Sequence, residues 1–266
     1  MKSLNVLLIG DQCLDVYIYG QVNRISPEAP VPILEKKNVE SKRGMSVNVL
    51  DNLIALGCNV TSAFSKNRSI KTRCIDIKTG QQLFRFDEDI ESDPIQPNKI
   101  PDNDYDCIIM SDYGKGSLNY DNMKRIIEMY GDIPIFIDTK KTDLGEFDRI
   151  YPPNEVFIKI NNYEHDKLKT THRNMIVTRG RDGATYKDKT FLTPKVNVAD
   201  PCGAGDTFLA SLAYFYCISK FYGLGEQKRM SDIEYAIEKA NIAASITVQH
   251  LGVYAPTKEE INAADR

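Results

Sequence analysis

Asp200-Pro201-Cys202-Gly203-Ala204-Gly205-Asp206-Thr207 runs directly into a helical pattern rich in Phe, Leu and Ala. Small residues therefore stand where a helix amino terminus leaves backbone N–H groups unpaired, and that geometry binds anions. Two glycines let the backbone come close to a phosphate. Asp206, just inside the helix, is placed to take a proton from an attacking hydroxyl. An anion cradle beside a base is the equipment of phosphoryl transfer to an alcohol. Taken alone, the same residues also describe a glycine-bearing turn with an ordinary first-turn aspartate. Neither G-x-x-x-x-G-K-[ST] nor G-x-G-x-x-G occurs anywhere, so P-loop and Rossmann readings lose their main support.

The elements that must position this segment are legible as apolar runs. Residues 4–9, 107–110, 133–137, 156–160 and 175–178 are short and mostly apolar, and each ends at a polar or glycine-containing turn. Such runs suit strands buried on both faces of a parallel sheet, whose carboxyl ends collect the chemistry-capable residues. Helical patterns fall at 46–56, 120–130, 204–220 and 233–249. Two stretches, from Tyr17 to Leu34 and from Thr72 to Asp87, alternate apolar and polar residues instead, as an antiparallel sheet with one wet face does. They predict a small β lid, and the apolar face of such a lid could pair with a second subunit. Residues 93–104, rich in Pro, Asp and Asn, return the chain from lid to body.

With 34 basic against 37 acidic residues in 266, the net charge of −3 argues against a nucleic-acid or anionic-membrane partner. The cysteines Cys13, Cys58, Cys74, Cys107, Cys202 and Cys217 form no C-x-x-C pair and are expected to be reduced. With only His165, His172 and His250 beside them, a structural zinc site has no ligand set. The apolar stretch before Gly10 is too short for a signal peptide, and a cytoplasmic protein is expected.

Asp200-x-x-Gly203-Ala204-Gly205-Asp206 resembles the D-x-x-G-A-G-D signature of the ribokinase-like, or PfkB, family of carbohydrate kinases. The resemblance implies a three-layer α/β/α sandwich with a mostly parallel central sheet, in one domain spanning 1–266 with its lid at about 16–41 and 72–90. It further implies that Asp206 is the general base, that the amides of Gly203, Ala204 and Gly205 form the anion hole, and that ATP with Mg²⁺ is the donor. Gly10-Asp11-Gln12-Cys13-Leu14-Asp15 resembles the end of the family's first strand, which makes Asp15 the residue gripping sugar hydroxyls; read alone, Asp15 is a turn residue before the lid. Asn161-Asn162-Tyr163-Glu164 fits the N-x-x-E motif, whose Asn161 and Glu164 position hydrated Mg²⁺. Val177-Thr178-Arg179-Gly180-Arg181-Asp182-Gly183 matches the penultimate strand and turn, so Arg179, Gly180 and Gly183 are nucleotide candidates, and Asn241 lies in the helix that would flank the adenine.

Within the family, Arg24-Ile25-Ser26-Pro27-Glu28-Ala29-Pro30-Val31-Pro32 is very similar to the lid of the heptose 7-phosphate kinases. Gln81-Gln82-Leu83-x-Arg85-x-Asp87 and Ser111-Asp112-Tyr113-Gly114-Lys115-Gly116 resemble the same group, which places Asp112, Arg85 and Lys115 among the substrate residues. Arg85 and Lys115 are the cations nearest to hand for a sugar's phosphate, or else solvated surface charges. The implied activity is phosphoryl transfer to a hydroxyl, the anomeric one, of a sugar phosphate resembling D-glycero-D-manno-heptose 7-phosphate. The alternatives are another sugar or nucleoside acceptor, or an inactive binding scaffold. A monovalent cation and a homodimer through the lid are left open.

The chain departs from the family in three places. The usual Gly-Gly pair before the substrate asparagine is Gly44-Met45 here, ahead of Asn48; Gly44 is kept, and Met45 either stiffens the hinge or packs under the lid. Only a few residues separate Phe64 from Thr72, where relatives fit a helix and a strand, and the span from Glu164 to Met175 is too short for the usual helix. A version trimmed at the sheet's periphery is expected. The chain is expected to lack a nucleotidyltransferase segment after Arg266, in which case a nucleotide-sugar product would need a separate enzyme.

Overall fold

The run at 4–9 becomes β1 (Asn5–Gly10), which passes through Asp11 alone into β2 (Gln12–Ile25). The chain returns as β3 (Pro32–Met45), and α1 (Ser46–Ala55) starts at the next residue. Then come β4 (Asn59–Phe64), β5 (Ser69–Asp76), β6 (Gln82–Glu88), β7 (Cys107–Ser111), α2 (Tyr120–Met129), β8 (Ile135–Asp138) and β9 (Val156–Asn161). The chain continues through α3 (Asn162–His165), β10 (Met175–Thr178), β11 (Ala184–Tyr186), β12 (Lys189–Phe191), α4 (Ala204–Tyr222), α5 (Leu224–Gln227), α6 (Asp232–Thr247) and α7 (Lys258–Ala264). This computed structural model describes residues 3–150, 155–227 and 229–265.

The central sheet runs β12-β11-β10-β9-β8-β7-β1-β4, parallel from β4 to β10 and antiparallel at β11 and β12. Strands β1, β7, β8 and β9 are buried on both faces, which is why they read as apolar runs rather than alternations. Leu4, Val6, Leu8 and Ile109 pack with residues of α1, α4 and α6 on one face. Phe136, Phe157 and Tyr216 close that core, with ring centroids 5.0 to 5.4 Å apart. Leu7, Ile9, Ile108 and Ile137 point the other way, under Met123, Ile126 and Ile127 of α2 and under Leu144 and Phe147 of a single 3₁₀ turn. The second helical layer is thin, as the short spacings predict. Residues 65–68 alone join β4 to β5, and α3 is four residues long.

The lid is a separate sheet, β3-β2-β5-β6, with β2 and β5 parallel and both outer pairs antiparallel. It reaches further inward than the expected bounds of 16–41 and 72–90. Gln12 pairs with Met45 at the root, so the ladder begins at the first residue after Asp11. Asp15 is thereby a lid residue and not part of a preceding turn. Because side chains alternate along a strand, Asp15, Tyr17 and Tyr19 share one face with Lys71 and Arg73. Val16 and Ile18 share the other with Val39, Cys74, Phe84 and Phe86. On that outer face Val39, Phe84 and Phe86 are exposed.

Candidate active site

Strands β1, β7, β8, β9 and β10 end together at Gly10, Ser111, Asp138, Asn161 and Thr178, so one edge of the sheet gathers the polar residues of five loops. That is where open α/β sheets bind ligands. Asp11, fully buried, organises it: its carboxylate accepts from the backbone N–H groups of Tyr113, Lys115 and Ser117 and from the Ser117 hydroxyl. The loop that carries Tyr113 is thus tied to the end of β1. Gly10 has no alternative there, since a Cβ would fall 2.1 Å from Ser46 Oγ and 2.3 Å from the Ser111 carbonyl oxygen.

Helix α4 begins at Gly203, whose φ of 81° is a left-handed conformation, and no side chain caps it. By contrast α2, α6 and α7 carry reciprocal capping boxes. The uncapped start leaves its N–H groups for a ligand. Gly203 is needed twice over, because a Cβ would also stand 2.9 Å from Asn48 Nδ2. Asp200 holds the loop's other end, accepting from the N–H groups of Cys202 at 2.9 Å and Gly252 at 3.0 Å.

Asp206 is buried at the head of this helix. Asn48 Nδ2 donates to its Oδ2 at 2.8 Å, and the Tyr113 hydroxyl donates to its Oδ1 at 2.5 Å. Burial raises its pKa above the usual carboxylate range, and the charge of Asp138 adds to this, while Tyr113, Asn48 and Lys159 oppose it. A carboxyl whose pKa is raised by burial and opposed by hydrogen-bond donors is the kind of group that general-base chemistry uses. Beneath the loop lies Lys159, 4% exposed, whose Nζ is 2.7 Å from Asp138 Oδ2 and would be 3.1 Å from a Cβ on Gly205. Gly205 therefore lets an ammonium ion approach the anion cradle from below.

On the lid side, Arg73 Nη1 donates to Asp15 Oδ1 at 2.6 Å. The guanidinium carbon lies 5.2 Å from the centroid of the Tyr17 ring, which stacks with Tyr19. Gly44 faces this pair: a Cβ would come within 2.3 Å of Asp15 Oδ2. On the opposite side of the anion loop, a cleft of about 850 Å³ is lined by Gly180, Gly183, Ala204, Gly205, Phe208 and Asn241. Asn241 Nδ2 donates to the Phe191 carbonyl oxygen, so it also holds β12 against the cleft.

The expected residues thus divide. Asp206, Gly203, Ala204, Gly205, Asn48, Asp15 and Gly44 surround the start of α4 and the lid root, and Gly180, Gly183 and Asn241 line the cleft. Asn48 turns its amide nitrogen onto Asp206. Asn161 and Glu164 come together as the capping box of α3, with Glu164 also bonded to Lys140. Asp112 is engaged within its own loop. Its side chain is wholly buried and accepts from Gly114 N, Thr139 Oγ1 and Lys141 Nζ, so it supports the loop. Arg85 is held bidentately by Asp87, and Lys115 reaches Asp89 at 2.6 Å, so both arrive already paired. Arg179 donates to Asn162 Oδ1 instead of lining the cleft. Tyr113, Arg73 and Lys159 are the additions.

Comparison with known proteins places this geometry. Phosphofructokinase-2 from Escherichia coli, solved in complex with potassium, superposes with a TM-score of 0.66 at 14% identity, covering 100% of both chains. Ribokinase from Arabidopsis thaliana, complexed with ribose and ATP, gives 0.64 at 13% identity, covering 99% of each. The fold is that of the ribokinase-like kinases. Residues 158–260 match the model of the pfkB family of carbohydrate kinases. Bifunctional protein HldE of Campylobacter curvus is 30% identical over 308 residues, covering 94% of this chain and 63% of that protein. Bifunctional protein HldE of Helicobacter acinonychis is 30% identical over 317 residues, covering 96% and 65%. The chain therefore spans a little under two thirds of the length of these relatives. Both alignments are longer than its 266 residues, so the relatives carry positions with no counterpart here, in keeping with the trimmed periphery.

Proposed function

We propose that this protein transfers the γ-phosphate of ATP to a hydroxyl, the anomeric one, of a sugar phosphate similar to heptose 7-phosphate. The observation that carries the reading is Asp206 itself: a buried carboxylate at the head of an uncapped helix, between the lid on one side and an 850 Å³ cleft on the other. ATP fits the cleft with its phosphates at the amides of Gly203, Ala204 and Gly205, and Asn241 beside the base. Asp15, fixed by Arg73, accepts hydroxyls of the sugar, while Asp206 takes the proton of the attacking one. The loop amides and Lys159 offset the charge that accumulates on the transferring group. Closure of the lid keeps water from competing as acceptor.

Asn161 and Glu164 are hard oxygen donors brought together at the end of β9, and Mg²⁺ takes few protein ligands because it keeps its waters, so the pair fits that ion held through water. When bound, Mg²⁺ neutralises charge on the ATP phosphates. No helix among the described residues is long and apolar enough to cross a membrane, and dependence on ATP suits a cytoplasmic setting. The exposed Val39, Phe84 and Phe86 favour a homodimer through the outer lid face.

The test is ADP release with Mg²⁺, with and without potassium, across heptose, hexose and pentose phosphates and free sugars, beside Asp206→Asn. Acceptor-dependent release that drops by about 10³-fold in the variant is expected. Wild type and variant equally inert, yet both binding ATP, would instead make the chain a binding scaffold.

A further inference from the structure

Tyr113 belongs to a loop the sequence singled out, yet the transfer step leaves it without a task. Its hydroxyl is one of two donors to the base, at 2.5 Å from Asp206 Oδ1. Tyr113 is half-buried, and Lys140 Nζ lies 5.5 Å from the ring centroid while also bonding Glu164. The backbone N–H of Tyr113 is held at 2.8 Å by Asp11. The phenol is therefore fixed at both ends, and it stands between the base and the helix that bears Glu164.

We propose that Tyr113 is a positioning residue that keeps Asp206 ionised and aimed at the acceptor hydroxyl. The inference rests on the kinase reading and assigns it a device for holding a buried base in its working form. The charged and titratable groups facing Asp206 are Asp138 from β8, Lys159 from β9 and Lys140 from the loop after β8, with the amide of Asn48 from α1. Cys13 from the lid root faces the phenol itself. Asp138 works against ionisation, and Lys159 is already engaged by Asp138. Two neutral donors in direct contact thus join the more weakly acting Lys159 in offsetting burial, and the phenol hydroxyl can be removed with little change of volume. A hydrogen bond from a neutral donor to a carboxylate stabilises the anion and lowers the carboxyl pKa. Tyr113 itself stays protonated, because burial and the adjacent Asp206 carboxylate raise its pKa well above the ordinary phenol range.

The experiment is the pH profile of kcat/KM for wild type and Tyr113→Phe, run beside a direct titration of the Asp206 carboxyl by carbon NMR on aspartate-labelled protein, with Asp206→Asn identifying the signal. Loss of the donor should move the acid limb, and the carboxyl titration with it, up by about one pH unit. The weaker base geometry should lower kcat at the plateau while KM for ATP stays fixed. A 3-fluorotyrosine at position 113, a more acidic donor in the same shape, should move both curves down. If both curves stay within about a third of a unit of wild type in both variants, the proposal is overturned. The NMR arm needs no turnover: should wild type prove inert with every acceptor, the kinase reading falls while the carboxyl titration still decides whether Tyr113 holds the anion.

Discussion

Met45 has φ 60° and ψ −128°, a region that glycine enters freely and a residue with a Cβ does not. Strain of about 2 kcal/mol is the ordinary cost of such a conformation. Its side chain is buried, so replacing it also removes packing, a loss of roughly 2–5 kcal/mol that would hide the strain in any single variant. Met45→Ala and Met45→Gly lose the same packing, and their difference isolates the backbone. Alanine keeps the strained Cβ; glycine sheds it but brings about 0.7 kcal/mol of extra unfolded-chain entropy. Met45→Gly should then be the more stable of the two by about 1 kcal/mol, or about 2 °C in Tm for a chain of this size. In a helix or strand interior the order is the reverse. Thermal and urea unfolding measured in parallel, with equal m values, provide the comparison. Alanine matching or exceeding glycine would refute the assignment of strain to this residue.

Asp206→Asn should be more thermostable than wild type, with a margin that grows as pH rises from about 4 to 7. A carboxyl whose pKa is raised in the fold stabilises below its unfolded value and loses that contribution as pH climbs through the folded one. A margin that shrinks with pH in paired melting curves would contradict this. Lys159→Met leaves Asp138 buried without its partner and should cost about 3–5 kcal/mol. Adding Asp138→Leu should restore at least half of it in urea denaturation, whereas simple additivity would show the two are not coupled. Gly44→Ala places a Cβ 2.3 Å from Asp15 Oδ2. Acceptor kcat/KM should fall by up to about 10²-fold with ATP binding unchanged, and an unaltered acceptor profile would remove Asp15 from the sugar site.

What could be read in the sequence follows from how far each interaction reaches along the chain. The strands of the body were visible because burial on both faces demands uninterrupted apolar runs. The uncapped start of α4 was visible because Gly203 and Gly205 are written side by side with the base. Arg73 was missed because its partner Asp15 lies 58 residues away, and Tyr113 because Asp206 lies 93 away; no local pattern encodes either pairing. Lys159 did leave a signal, a lysine inside a strand otherwise apolar up to Asn161, since a charge there requires a buried partner. The partners of Asp112 were not legible, because a polar residue just past a strand end serves a ligand or its own loop equally well. The three-residue strands β11 and β12 and the seven-residue α7 are too short for periodicity to register.

The lid strands enter and leave the body without slack: Asp11 alone precedes β2, and α1 begins immediately after Met45. Only β3 accompanies β2 beyond Gly20. Fourteen residues of strand at about 3.3 Å each make an arm of about 46 Å. Such an arm is a lever with its fulcrum at the Gln12–Met45 pair. A turn of about 10° there moves Asp15, three residues out, by only about 2 Å, but carries the tip through about 8 Å. The arm multiplies a displacement at Asp15 severalfold, so a fluorophore near Ile25 would report events at Asp15 without touching them.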